Sequence, residues 1–133
     1  MSKLNGNLRL AVNGTLMRGL ELHPNMLEVG AEFIEEAKTA PCYRLWSIGD
    51  RHPAMMRVEA GGVSVALEIY EISADGLASV LRKEPAGLCV GKIMLDSGDE
   101  VLGVLGESFL CENGKEITEY GGWRSYIAAL SNT

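Results

Sequence analysis

The sequence predicts an α+β domain: six or seven short strands in a curled sheet or small mixed β-barrel, with two or three short helices. Two observations carry this expectation. Apolar residues alternate with period two over several short runs, the mark of half-buried strands, whereas helix signatures gather in a few places. Glycine occurs 16 times in 133 residues, and glycine weakens helix interiors while serving tight turns, which disfavours a helical bundle. The length fits one domain over residues 1–133, and no linker, internal repeat or low-complexity stretch divides it.

Leu8, Leu10 and Val12 alternate with Arg9 and Ala11 as a first strand that stops at Asn13-Gly14. Asn25 with Glu28 forms a weak capping pair; Gly30 interrupts any helix begun there, so a short helix precedes it and a strand starts near Ala31. Tyr43–Ile48 and Met55–Val58 read as strands around the break Gly49-Asp50-Arg51-His52-Pro53. After Gly61-Gly62, Val63, Val65, Leu67 and Ile69 share one strand face, with Ser64, Ala66, Glu68 and Tyr70 on the other. Ser73 is placed to cap a helix with Asp75 in its positive first turn. Leu77, Val80 and Leu81 form its apolar stripe, and Pro85 ends it. Cys89–Leu95 and Val101–Leu105 read as a hairpin about Asp96-Ser97-Gly98-Asp99, with Gly103 and Gly106 suggesting bulges or bends. Beyond Asn113-Gly114, Trp123–Leu130 reads as a terminal helix.

Charge and composition remove several functions. Twelve Lys and Arg against 18 Asp and Glu leave a net charge of −6 without a basic run, so a nucleic-acid partner is not expected. The opening Met1–Asn7 lacks a signal peptide's apolar core and no apolar run is long enough to cross a membrane, so a cytoplasmic protein without membrane contact is expected. Cys42, Cys89 and Cys111 are scattered among apolar residues and read as small hydrophobes in a reducing compartment. His23 and His52 are not spaced with Cys, Asp or Glu as metal ligands, and no dinucleotide or phosphate-loop fingerprint is present. No metal or cofactor is expected.

Three segments can carry chemistry. Asn13-Gly14-Thr15-Leu16 can turn successive backbone N–H groups into an anion-holding nest, or Asn13-Gly14 can be a plain two-residue hairpin turn. Glu84 ends the Ser73 helix, where the negative dipole end and partial burial would raise its pKa toward the range of a neutral general acid/base. The adjacent Arg82 and Lys83 allow instead a solvated charge cluster. In Gly121-Gly122-Trp123-Arg124-Ser125-Tyr126, free N–H groups with Trp123 and Arg124 can close over a small polar ligand, or Trp123 and Tyr126 can simply anchor the helix.

Leu10-Ala11-Val12-Asn13-Gly14-Thr15-Leu16-Met17-Arg18-Gly19, Arg51-His52-Pro53-Ala54-Met55, Glu68-Ile69-Tyr70-Glu71-Ile72 and the Asp96-Ser97-Gly98 hairpin together resemble the γ-glutamylcyclotransferase-like superfamily. Thr39–Leu45, Gly91-Lys92-Ile93-Met94-Leu95 and Gly121–Tyr126 resemble, within it, the C-terminal domain of allophanate hydrolase. The resemblance runs from about Leu8 to Ile127. It implies a small barrel-like mixed fold with a pocket at the opening loop. A cyclotransferase-like site would take Gly14, Thr15 and Leu16 as its loop and Glu84 as its acid/base. Asn13 stands where that loop carries Tyr, and Leu81 and Pro85 stand where Asp and Gly flank the family's Glu.

The allophanate hydrolase likeness implies hydrolase or lyase chemistry on a small amide or carbamate, in urea and nitrogen metabolism. The pocket it implies comprises Asn13, Gly14, Thr15, Leu16, Tyr43, Lys92 and Arg124, whose cations and main-chain N–H groups suit a small carboxylate. The chain would work on its own or with a separate amidase as partner, because 133 residues do not hold one. The alternatives are a cyclotransferase using Glu84, or a non-catalytic ligand-binding or oligomerisation module, a homodimer among its forms.

Overall fold

Alternation and turn chemistry build the strands, and long-range pairing arranges them in two sheets. The computed structural model describes residues 7–132; Met1–Gly6, most of the opening stretch read for an export signal, lie outside the described residues. β1 (Asn7–Val12) pairs antiparallel with β5 (Ala66–Ser73) and parallel with β7 (Glu100–Gly106). β2 (Glu32–Lys38) flanks β5, and β6 (Leu88–Met94) flanks β7, giving the order β2-β5-β1-β7-β6. A smaller sheet holds β4 (His52–Arg57), β3 (Tyr43–Ile48) and β8 (Lys115–Glu116) in that order. The five-stranded ladder stays open, but its edges meet at one end: Thr39 bridges Leu95, Ala40 N–H donates to Met94 O, and Asp96 N–H donates to Lys38 O. The expected curled sheet is therefore present as an open, barrel-like wrap.

Helix α1 (His23–Glu28) precedes Gly30, as its interruption requires, and α2 (Ala74–Lys83) follows β5 directly. Ser73 Oγ accepts the Gly76 N–H at 2.9 Å, the expected cap. A short α3 (Ser108–Glu112) and β8 escape the sequence reading, each too brief to show a period. Helix α4 (Trp123–Ser131) packs through Trp123 and Tyr126, and the Tyr126 hydroxyl donates to Asp50 Oδ1 at 2.5 Å. That bond, with the one from Ser47 Oγ, holds the Asp50 carboxyl below its ordinary pKa and ties the tail to the β3–β4 turn.

Two expectations are corrected. β5 begins at Ala66 rather than Val63, and its second face is not solvated, because Glu68 and Tyr70 are buried. Gly103 and Gly106 make no bulge: β6 and β7 pair in unbroken register from Leu88–Gly106 to Met94–Glu100. Gly103 instead leaves room for Ile93, whose Cδ1 would lie 2.2 Å from an added Cβ. The register shift in the large sheet falls between Phe33 and Glu35 of β2. Cys111 is buried, Cys42 and Cys89 are half-buried, and all three are free thiols. No helix among the described residues is long and apolar enough to cross a membrane.

The join between sheets depends on Gly62, since a Cβ there would stand 2.6 Å from the Cys42 backbone, beside the bridge of Tyr43 to Val63. Backbone offers no rotamer escape, so Gly62→Ala should lower stability by about 3 kcal/mol, read as a lower urea midpoint at unchanged slope.

Candidate functional site

The sequence-predicted residues fall in two cavities, apart from Tyr43 in the core and Lys92 on the surface. β1 delivers the chain into the first. Asn13 donates through Nδ2 to Val104 O at 2.9 Å, which fixes the strand exit. Met17 N–H then donates to Gly14 O and Leu22 N–H to Thr15 O, so the chain winds through successive turns into α1. No return strand follows, and Asn13-Gly14 is not a hairpin turn. Gly14 lies against Pro53, whose Cδ would be 2.6 Å from an added Cβ; the missing side chain lets the loop close on β4.

Glu84 faces this loop across a small cavity bordered by Asn13, Thr15, Leu16 and His52. The helix ends at Glu84 because its backbone turns extended before Pro85. Its Oε1 is buried and has no hydrogen-bond partner among the described residues. Neither Arg82 nor Lys83 pairs with it among the described residues; Lys83 Nζ reaches Glu28 Oε1 at 2.8 Å instead. Burial pushes the Glu84 carboxyl up to about 7. The space beside it, about 10 Å³, is on the scale of one water. His52 Nδ1 lies 3.0 Å from Pro53 O. A carbonyl only accepts, so this bond is made by the tautomer with its hydrogen on Nδ1. Sequence reasoning tested His52 only as a metal ligand and missed this placement; its position ahead of Pro53, opposite Gly14, is legible only once the strands are paired.

Arg124 lies in a second, larger cleft of about 350 Å³, between β2, the start of β5 and the first turn of α4. There Glu68, 2% exposed, takes four donors. Arg18 N–H and the Tyr70 hydroxyl reach Oε1 at 2.9 and 3.1 Å. Arg18 Nε and Arg124 Nη2 reach Oε2 at 3.2 and 3.1 Å. Burial alone would raise the Glu68 pKa, but these donors overcome it and hold the carboxyl below its ordinary value. Burial and the Glu68 charge in turn push the Tyr70 hydroxyl well up.

The structure thus joins Asn13, Gly14, Thr15 and Leu16 to Glu84, and Arg124 to Arg18 and Glu68. Tyr43 and Lys92 border neither cavity. The Tyr43 ring is fully buried in the core and its hydroxyl accepts the Met94 N–H, while Lys92 is exposed on β6 opposite Leu102. Among the described residues no group of three or more His, Cys, Asp or Glu could hold a metal ion.

Comparison with known proteins places these features in context. The model of the allophanate hydrolase C-terminal domain matches residues 8–128. Urea amidolyase of Saccharomyces cerevisiae is 29% identical over 136 residues, covering 93% of this chain and 7% of its own length. A solved structure of a uropathogenic E. coli-specific protein is 55% identical, with a TM-score of 0.90 over 92% of this chain and 96% of that one. Kluyveromyces lactis allophanate hydrolase follows at 29% identity and a TM-score of 0.87, over 93% of this chain and 21% of that one. A γ-glutamyl cyclotransferase at 11% identity shares the fold, with a TM-score of 0.54 over 83% of this chain and 69% of that one. This chain therefore corresponds to a small part of the curated relatives it matches.

The Glu84 environment has a thermodynamic consequence. Its ordinary pKa is 4.5 and its folded value about 7, so below pH 4.5 the group is neutral in both states and favours neither. Between the two values the unfolded chain ionises first and stability falls as pH rises. Above about pH 7 the loss levels off, at up to about 3 kcal/mol from 1.4 kcal/mol per pKa unit. Thermal melts of Glu84→Gln should show a gain over the parent at pH 8 that shrinks toward zero near pH 4.5; an equal gain at both would contradict the buried carboxyl.

Proposed function

The chain belongs to the allophanate hydrolase C-terminal domain family, and from that membership we propose that it acts on a small nitrogenous carboxylate, allophanate-derived or closely related, with Glu84 moving a proton at a C–N bond. The observation that carries this reading is the unpartnered Glu84 Oε1 held against the Asn13–Leu16 loop. A carboxyl that titrates near neutrality is at its most useful as an acid/base at working pH, and nothing else in the cavity occupies its buried oxygen. In the hydrolase or lyase reaction, the electrons of the breaking C–N bond go to nitrogen. Glu84 supplies the proton that nitrogen takes, and the carboxylate carbon departs as carbon dioxide. The loop's main-chain N–H groups are suited to hold the substrate's oxygens while charge shifts. Gly14 and Pro53 must part to admit the substrate, since the closed cavity holds about one water.

An amidase is the partner this reading implies, since the matching domain makes up 7% of urea amidolyase and 21% of allophanate hydrolase. A second reading draws on the same Glu84 and loop in a γ-glutamylcyclotransferase-like fold. There Glu84 starts ionised, takes a proton from an attacking amine and returns it to the departing amide nitrogen.

Rate against pH separates the two. Ammonia and carbon dioxide release from allophanate, with a separate amidase present, should fall as pH rises through about 7 if Glu84 is the acid. Formation of 5-oxoproline from γ-glutamyl amines should instead rise through the same range if Glu84 is the base. In either assay Glu84→Gln should lower the rate by about 100-fold or more; unchanged rates in Glu84→Gln would remove it from the chemistry.

A further inference from the structure

The larger cleft has the wrong chemistry for proton transfer and the right chemistry for holding an anion. Glu68 is saturated: a carboxylate has about four acceptor sites, and Arg18 N–H, Arg18 Nε, Tyr70 and Arg124 fill them. The carboxylate therefore acts on the two guanidinium groups, fixing their planes at the cleft wall. Arg18 is further held by Glu36, at 2.8 Å, and lies over the Phe33 ring at 3.7 Å. Arg124 spends only Nη2, which donates to Glu68 and to Arg18 O. Its Nε–H and its Nη1, on opposite sides of the guanidinium, have no protein partner among the described residues, and the side chain is 46% exposed.

Two further groups add positive potential at the same place. The first turn of α4, Trp123 to Ser125, forms one wall. Gly122 supplies no side-chain cap, and the first helical bond runs from Tyr126 N–H to Gly122 O. The preceding N–H groups accordingly have no protein acceptor among the described residues. Lys38 lines the same cleft. Arg18 with Glu36 and Arg124 with Glu68 cancel in formal charge, so Lys38 and the helix end remain as a local positive surplus on a chain of net charge −6. Met17, Leu67 and Trp123 make the remaining walls apolar. A volume of about 350 Å³ lies within the range of small-ligand sites.

We infer that this cleft is a binding site for a small organic carboxylate, separate from the Glu84 cavity, with the ligand's carboxylate between Arg124 and the α4 N-terminus and its body against Trp123 and Met17. A carboxylate has two oxygens to share between a remaining Arg124 N–H and a main-chain N–H, whereas a spherical anion offers one centre. The apolar walls favour a short carbon or ureido body over a bare ion.

Calorimetric titration of the full chain with malonate, hydantoate and chloride tests this. Saturable binding of malonate or hydantoate, without binding of chloride, is expected. Arg124→Lys keeps a cation against Glu68 but loses the remaining guanidinium N–H donors, and should weaken binding by about 10-fold or more, one good charge-assisted contact. Lys38→Met, at a rim position without a structural partner in the cleft, should weaken it several-fold while leaving the melting temperature unchanged. Glu84→Gln should bind as the parent does. Absence of saturable binding, equal binding of chloride, insensitivity to both cation variants, or loss of binding in Glu84→Gln would each overturn the inference. The last result would place the ligand in the other cavity, and none of them depends on whether Glu84 catalyses a reaction.

Discussion

The carboxylate of Glu68 is the constraint on which the arrangement of the candidate sites depends. It sits in β5, 2% exposed, at the level where Val12 of β1 pairs with it, so an ionised group is fixed just where the chain leaves the central strand. Removing a carboxylate from water carries a penalty of several kcal/mol unless donors replace the lost solvent. Here the replacements come from a loop residue 50 positions upstream and a helix residue 56 positions downstream. Glu68 adds a shared anchor to segments that packing and other bonds also hold, and their donors keep it ionised in turn. The Arg18 N–H holds the loop, Arg124 holds the first turn of α4, and the further bond from Arg124 to Arg18 O closes the triangle.

Glu68 and Glu84 show how environment divides the work of two similar side chains. Both are withdrawn from solvent. Glu68 meets two guanidinium groups, a hydroxyl and a main-chain N–H, and its pKa falls despite burial. Glu84 meets no donor at Oε1, and its pKa rises to about 7. A carboxylate with every acceptor site filled and a lowered pKa has no proton to give near neutrality. Its influence passes through the arginines it orients. A carboxyl with an empty acceptor and a neutral-range pKa can exchange a proton without first breaking an ion pair. Reactive and positioning roles are thus separated by hydrogen-bond supply rather than by depth of burial.

Much of the frame is legible in the sequence because local chemistry decides it. Alternation marks β1 and β3, the Ser73 hydroxyl and Pro85 bracket α2, and Gly30 separates α1 from β2. The contents of the sites are less legible for two reasons. Alternation in β5 assigns Glu68 and Tyr70 to a solvated face, yet Arg18, Arg124 and Phe33 cover that face from distant segments. A period-two pattern reports one apolar face and says nothing of what covers the other. Tyr43 and Lys92 were grouped with Arg124 by motif likeness, but strand register separates them: Tyr43 turns into the core between the sheets, and Lys92 turns outward on the edge strand β6. In sequence, Glu84 beside Arg82 and Lys83 fits a charge cluster as well as a buried acid; the fold instead pairs Lys83 across to Glu28.

The two cavities also share a boundary. Leu16 borders the Glu84 cavity and the next residue, Met17, borders the carboxylate cleft, with Arg18 N–H anchored to Glu68 immediately after. Motion that frees Gly14 from Pro53 must therefore be taken up within Gly14–Met17, because the chain is pinned on one side by Asn13 on Val104 O and on the other by Arg18 on Glu68. Four residues between two fixed points have few backbone solutions, and the turn bonds Met17 N–H to Gly14 O and Leu22 N–H to Thr15 O lie in their path. A displacement large enough to admit a substrate beside Glu84 would break one of those bonds or pull on the Arg18 anchor. Pulling on that anchor would move Met17 and the arginine pair together. The two cavity walls are thus joined by the pinning of a four-residue segment rather than by a long-range network.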